Sequence, residues 1–81
     1  MFTIYSMQGC GYCRQVQQLM EITEQKFVVY ELNRDFTIEE FENEFNTKYF
    51  PQVVHRDKVI GGAAETVEYF KEKNLVWIKT K

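Results

Sequence analysis

The sequence predicts an α/β domain: a mixed four-stranded sheet flanked by three helices, in the order βαβαββα. Three observations carry this expectation. Apolar runs at residues 2–6 and 27–32 enclose a helical pattern, which makes a βαβ unit with parallel strands. Two further strand candidates, 52–55 and 58–60, are joined only by Arg56-Asp57. That link is too short for a crossover, so the pair is an antiparallel hairpin. Helical patterns then lie between the two strand pairs and after the second.

Each element has a local reason. Residues 2–6 form a short apolar strand. From Cys13 the pattern turns helical, with Cys13, Val16 and Met20 on one face and Leu19 and Ile22 beside it, running to about Gln25. Residues 27–32 are rich in β-branched and aromatic side chains. Asn33-Arg34-Asp35 breaks that pattern. Thr37 and Glu40 then have the spacing of a capping box, and Ile38, Phe41 and Phe45 follow at i, i+3 and i+7. Pro51 precedes the third strand, and Gly61-Gly62 ends the fourth. A last helix over 63–73 is expected to turn Ala63, Val67 and Phe70 inward, with Asn74 as its cap. The apolar stretch 75–78 is expected as an extended segment packed on the body.

Eighty-one residues suit one domain, 1–81, with 76–81 as a C-terminal tail. Seven Phe, five Tyr and one Trp give a small core bulky side chains to bury. The formal net charge is −2 and no basic cluster marks a nucleic-acid surface. No apolar stretch approaches the ~20 residues a bilayer requires. The N-terminus has no signal-peptide pattern, so a reducing, cytoplasmic setting is expected. There a lone pair of cysteines is catalytic or metal-binding rather than a structural staple.

That pair is Cys10-Gly11-Tyr12-Cys13, set between the first strand and the first helix. Free backbone N–H groups and the helix dipole at such a junction favour a thiolate, the form that attacks disulfides. The spacing alone leaves metal binding open, because zinc sites use it too.

The order βαβαββα with this motif resembles glutaredoxin, the small branch of the thioredoxin superfamily. Cys10-Gly11-Tyr12-Cys13, Phe50-Pro51-Gln52-Val53 and Ile60-Gly61-Gly62 carry the resemblance, which extends to about residue 73. The chain also departs from the family pattern. Gly11 stands where Cys-Pro-Tyr-Cys has proline, no lysine precedes Cys10, and Ala63-Ala64 follow the glycine pair where an Asp or Ser is usual. Glu65 and Thr66 are the nearest polar side chains there.

The resemblance implies a thioredoxin-like fold and a glutathione-linked thiol–disulfide oxidoreductase. Cys10 would attack and Cys13 resolve. Pro51 would follow a cis bond and present the Phe50 backbone to substrate. Tyr12 would sit at the rim. Gly62, Ala63 and Ala64 would offer helix N–H groups to a glutathione carboxylate, and Lys48 would hold a second. Glutathione is the implied co-substrate, with no tightly bound cofactor and no metal. Disulfide-containing proteins, ribonucleotide reductase among them, are the implied partners of a monomer. Arg14 could assist the thiolate by folding back. His55 is expected in solvent near the hairpin turn, and Trp77 in tail packing.

Other readings make different predictions. An iron–sulfur or zinc module would need ligands from a second copy or from glutathione, and some glutaredoxins lacking the motif proline carry a bridging cluster. A redoxin fed by thioredoxin reductase usually ends in an aromatic-Ser-Gly-Phe motif, which residues 75–79 do not match. A binding module with an idle motif would keep its function when Cys10 is replaced by Ser.

Overall fold

The computed structural model describes residues 1–73. The expectations for Asn74, Trp77 and the 75–78 segment lie outside them. Seven elements follow in order: β1 (Phe2–Ser6), α1 (Gly11–Ile22), β2 (Phe27–Glu31), α2 (Ile38–Phe45), β3 (Gln52–His55), β4 (Lys58–Gly61) and α3 (Ala63–Glu72). This is the expected βαβαββα order.

The sheet runs β2-β1-β3-β4. β1 pairs with β2 in parallel, Phe2 opposite Phe27 and Ser6 opposite Glu31. β1 pairs antiparallel with β3, and β3 antiparallel with β4. The sheet is therefore mixed, as the two kinds of connection require.

Alternation on β1 divides the interior. Phe2, Ile4 and Ser6 point to one face and are buried. There Phe2 and Ile4 pack with Val53, with Val16 and Met20 of α1, and with Phe70 of α3. The other face is covered by α2, whose Phe41 is 1% exposed. Phe41 stacks on Phe50 at 4.1 Å between ring centroids and lies 4.9 Å from Phe45.

α1 starts at Gly11 and stops at Ile22, two residues earlier and about three earlier than its pattern suggests. The Thr23 hydroxyl donates to the Leu19 carbonyl at 2.7 Å, and Glu24 takes a left-handed φ of 61°. These turn the chain before Gln25. Ile22 is exposed while Leu19 packs on the core. α2 has its capping box: Thr37 N–H donates to Glu40 Oε1 at 2.9 Å, and Glu40 N–H to Thr37 Oγ1 at 3.1 Å.

Two expectations of burial need correction, one inward and one outward. On α3 the buried residues are Thr66 and Phe70, with Ala63 half-buried beside them, while Val67 is 39% exposed. Thr66 can be buried because its hydroxyl donates to the Gly62 carbonyl at 2.8 Å, which satisfies the one polar group it carries.

His55 is the second correction. It is half-buried, stacked on Phe2 at 4.0 Å, with Nδ1 2.7 Å from the Tyr69 hydroxyl. Pairing of β1 with β3 places Phe2 opposite His55, so a residue next to the turn is still covered. Burial first, then the N-terminal amino group, Arg56 and Lys73, hold its pKa below the ordinary 6.5. The unfolded chain therefore binds this proton more readily than the folded one. This contribution is full above pH 6.5 and is lost as pH falls through the depressed folded value. The urea midpoint is expected to fall between about pH 7 and pH 5. His55→Phe should flatten that slope; an unchanged slope would show that other groups produce it.

Candidate active site

Strand direction gathers three segments at one edge of the sheet. β1 ends at Ser6, and Tyr5 pairs with Gln52 at the start of β3. β4 runs back against β3, so its last residue, Gly61, faces Val53. The 7–10 loop, Pro51 and the Gly61-Gly62 pair are thus neighbours without being close in sequence.

The loop after β1 turns through Gly9, whose φ is 77°. It delivers Cys10 as the N-cap of α1, in an extended conformation. The Cys13 backbone N–H donates to Cys10 Sγ at 3.1 Å. This is one of the N–H groups that a helix start leaves without an internal partner. Negative charge on that sulfur would strengthen the bond. Cys10 and Cys13 form a disulfide, with Cα atoms 5.3 Å apart. The two sulfurs differ in access: Cys10 is half-buried, whereas Cys13 is 2% exposed against the α1 core.

Gly11 needs no special space, since a Cβ there would meet nothing within 4 Å. Tyr12 is 64% exposed at the rim. Arg14 is exposed and lines a cleft of about 480 Å³ with Met7, Cys10, Cys13, Gln17 and Arg34. Sequence reasoning passed over Gln17 and Arg34. Gln17 is four residues after Cys13 and so shares its side of α1. Arg34 reaches the cleft because the parallel pairing puts Glu31 beside Ser6. Its guanidinium is held by Asp35 at 2.7 Å and Glu31 at 3.4 Å. That hydrogen bond and the opposite charges raise the Arg34 pKa and lower that of Asp35.

Pro51 is buried and follows a cis peptide bond from Phe50. Phe50 itself is held from behind by the stack on Phe41. Lys48 is exposed and ion-paired with Glu42 at 3.4 Å. Beyond β4, Gly61 takes a φ of 126°, and a Cβ there would come within 2.9 Å of the Glu65 Cβ. Glycine is required at that position both for its backbone and for its closeness to Glu65. A Cβ at Gly62 would lie 3.5 Å from the Pro51 carbonyl, which places the start of α3 against Pro51.

At that start one N–H is already engaged. Gly62 N–H donates to Glu65 Oε1 at 3.0 Å. A carboxylate from within the chain thus already meets this helix start. Ala63 is half-buried and Ala64 exposed, and neither brings a polar side chain. Among the described residues no three His, Cys, Asp or Glu side chains come together as metal ligands.

A disulfide at a helix start, beside a buried proline and a second helix N-terminus, can exchange with external thiols and disulfides. Known proteins share this fold. The family model for glutaredoxin matches residues 2–60. No curated protein matches the chain. Among solved structures, buckwheat glutaredoxin in complex with glutathione is 22% identical, covering 91% of this chain and 71% of that one, with a TM-score of 0.79. Glutaredoxin 1 of Francisella tularensis, complexed with cacodylate, is 26% identical, covers 91% and 94%, and gives 0.76. Reduced Escherichia coli glutaredoxin is 19% identical, covers 93% and 98%, and gives 0.75.

Proposed function

The chain belongs to the glutaredoxin family and is a thiol–disulfide oxidoreductase; from that premise we propose that Cys10 attacks, Cys13 resolves, and glutathione supplies the electrons. The observation that supports these roles is the inequality of the two sulfurs. Cys10 is the more accessible and receives the Cys13 N–H, while Cys13 is buried.

In the reduced protein the Cys10 thiolate attacks one sulfur of a substrate disulfide. A Cys10–substrate disulfide forms, and the other substrate sulfur leaves as a thiolate. Cys13, deprotonated, then attacks Cys10 Sγ. The substrate's second sulfur leaves as a thiolate, and the Cys10–Cys13 bond closes. Two electrons have passed to the substrate. Two glutathione thiols reverse the process: the first opens the bond as a mixed disulfide on Cys10, and the second releases glutathione disulfide. A reducing, cytoplasmic compartment is the setting in which this cycle runs forward.

In this reading glutathione lies along the edge formed by Tyr12, Pro51 and the start of α3. The α3 N–H groups at Gly62, Ala63 and Ala64 receive a carboxylate, and Lys48 is the nearest lysine to Pro51 in sequence. Its protein substrates carry disulfides, and ribonucleotide reductase is a named candidate. The deciding assay couples disulfide reduction to glutathione with glutathione reductase and, separately, to thioredoxin reductase. Turnover in the first arm is expected. Turnover only in the second would move the electron donor to a reductase.

One observation favours that second donor, the Glu65 carboxylate on the Gly62 N–H. A glutathione carboxylate must displace it or share the helix end with it. Glu65→Gln keeps a hydrogen-bonding side chain and removes the charge. The KM for glutathione is expected to fall about two- to fivefold, the range set by one charge at a helix terminus. An unchanged KM would show that glutathione does not meet Glu65.

A further inference from the structure

The two faces of the sheet are covered unequally. α1 and α3, of 12 and 10 residues, close one face over the main core. On the other face α2 has 8 residues, about 12 Å of helix. Tyr5 and Tyr30 are register partners on that face, with rings 5.5 Å apart, and Tyr30 is 42% exposed. Tyr5 also meets Phe36 at 5.3 Å and Phe45 at 4.9 Å. These rings floor a cleft of about 570 Å³, separate from the one at Cys10. Of these rings Tyr30 is exposed and Tyr5, Phe36 and Phe45 are half-buried.

The rim has one sign of charge. Asp35, Glu40 and Glu44 line it, and among the described residues no Lys or Arg does. Asp35 is engaged by Arg34, and Glu40 by the Thr37 N–H. Glu44 makes no ion pair among the described residues. Its charge reaches the floor: after burial, Glu44 is the next cause raising the Tyr5 pKa. Two of its lining rings lead toward the disulfide edge. Phe36 and Phe41 both stack on Phe50, at 6.2 and 4.1 Å, and Phe50 precedes Pro51.

We propose that this cleft docks a lysine- or arginine-bearing segment of the protein whose disulfide Cys10 attacks. The inference rests on the thiol–disulfide reading and adds a substrate class to it. A long cationic side chain lays its apolar stem and its charge over the Tyr5, Tyr30 and Phe45 rings, and its head group meets Glu44. An acidic segment is repelled by Glu44 and is rejected. Selection therefore acts on residues flanking the target disulfide, through contacts that the disulfide chemistry does not make.

The test uses two peptide disulfides that differ only in flanking residues, Arg in one and Glu in the other. The full-length wild type is expected to reduce the Arg peptide with about fivefold higher kcat/KM. Glu44→Lys and about 0.5 M salt should each collapse that ratio. Equal rates on the two peptides, or a ratio that Glu44→Lys leaves intact, would overturn the proposal. Binding is read separately, by amide chemical shifts on adding the Arg peptide with its cysteines replaced by serine. Shifts at Tyr30, Phe36 and Glu44 support docking, and shifts confined elsewhere overturn it. Trp77 contacts to Tyr30 in the free chain would make its own tail the occupant, and shifts that follow protein concentration alone would make it a second copy. Either result overturns the proposal. If neither peptide is reduced, the oxidoreductase roles fail, and the titration still decides the docking.

Discussion

Replacing Cys10 by Ser is expected to reduce disulfide turnover to the rate of glutathione alone, on every substrate. Replacing Cys13 should divide the substrates into two groups. Without a resolving thiol, the Cys10–substrate bond of a protein disulfide waits for an external thiol, and turnover collapses. A glutathione mixed disulfide needs only a second glutathione to release it, so its reduction continues. The asymmetry follows from the helix start, where Cys10 caps α1 and Cys13 is buried one turn in. Cys13→Ala is the cleaner variant, because Cys13→Ser buries a hydroxyl that can cost about 1–3 kcal/mol if left without a partner. Kinetics on both substrate types check this. Equal losses from both single substitutions on the glutathione mixed disulfide would contradict the division of roles.

The largest stability effect is expected from Phe41→Ala. Phe41 is 1% exposed and is the buried residue that α2 supplies to its face of the sheet. Truncating a buried Phe to Ala costs about 3–5 kcal/mol. A chain of 81 residues has roughly 4–12 kcal/mol of stability in all. The variant should therefore lose from about a quarter to all of that stability, with a large drop in urea midpoint. Phe41→Leu retains most of the volume and should cost about 1 kcal/mol. The stack of Phe41 on Phe50 adds a functional consequence, because Phe50 leads directly into Pro51 at the site. Folded Phe41→Leu protein should lose activity beyond its loss of folded population. A midpoint for Phe41→Ala near that of the wild type would contradict this account of the second face.

Legibility in the sequence followed the range of the interactions. The α2 capping box was readable because both of its bonds span three residues, Thr37 to Glu40. The cysteine pair was readable for the same reason, and the hairpin from its two-residue turn. His55 was not, since its cover comes from Phe2 across the β1–β3 pairing and from Tyr69 fourteen residues away. Val67 looked like core because it is apolar, yet Thr66 took the position by returning its hydroxyl to the Gly62 carbonyl. Arg34 at the cysteine cleft depended on the register of β1 against β2, which no local pattern specifies, whereas Gln17 follows from its i+4 spacing to Cys13. The family motifs indicated that the start of α3 faces the site. They gave no sign that Glu65 would already hold its first N–H.

The most direct measurement of the central claim is the intact mass of the Cys13→Ala protein after reaction with a peptide disulfide. One peptide should be added, and fragmentation should place it on Cys10. The Cys10→Ser protein, treated alike, should stay unmodified. A peptide found on Cys13 in the Cys10→Ser protein, with Cys10 unmodified in the other, would contradict the assignment of Cys10 as the attacking thiol.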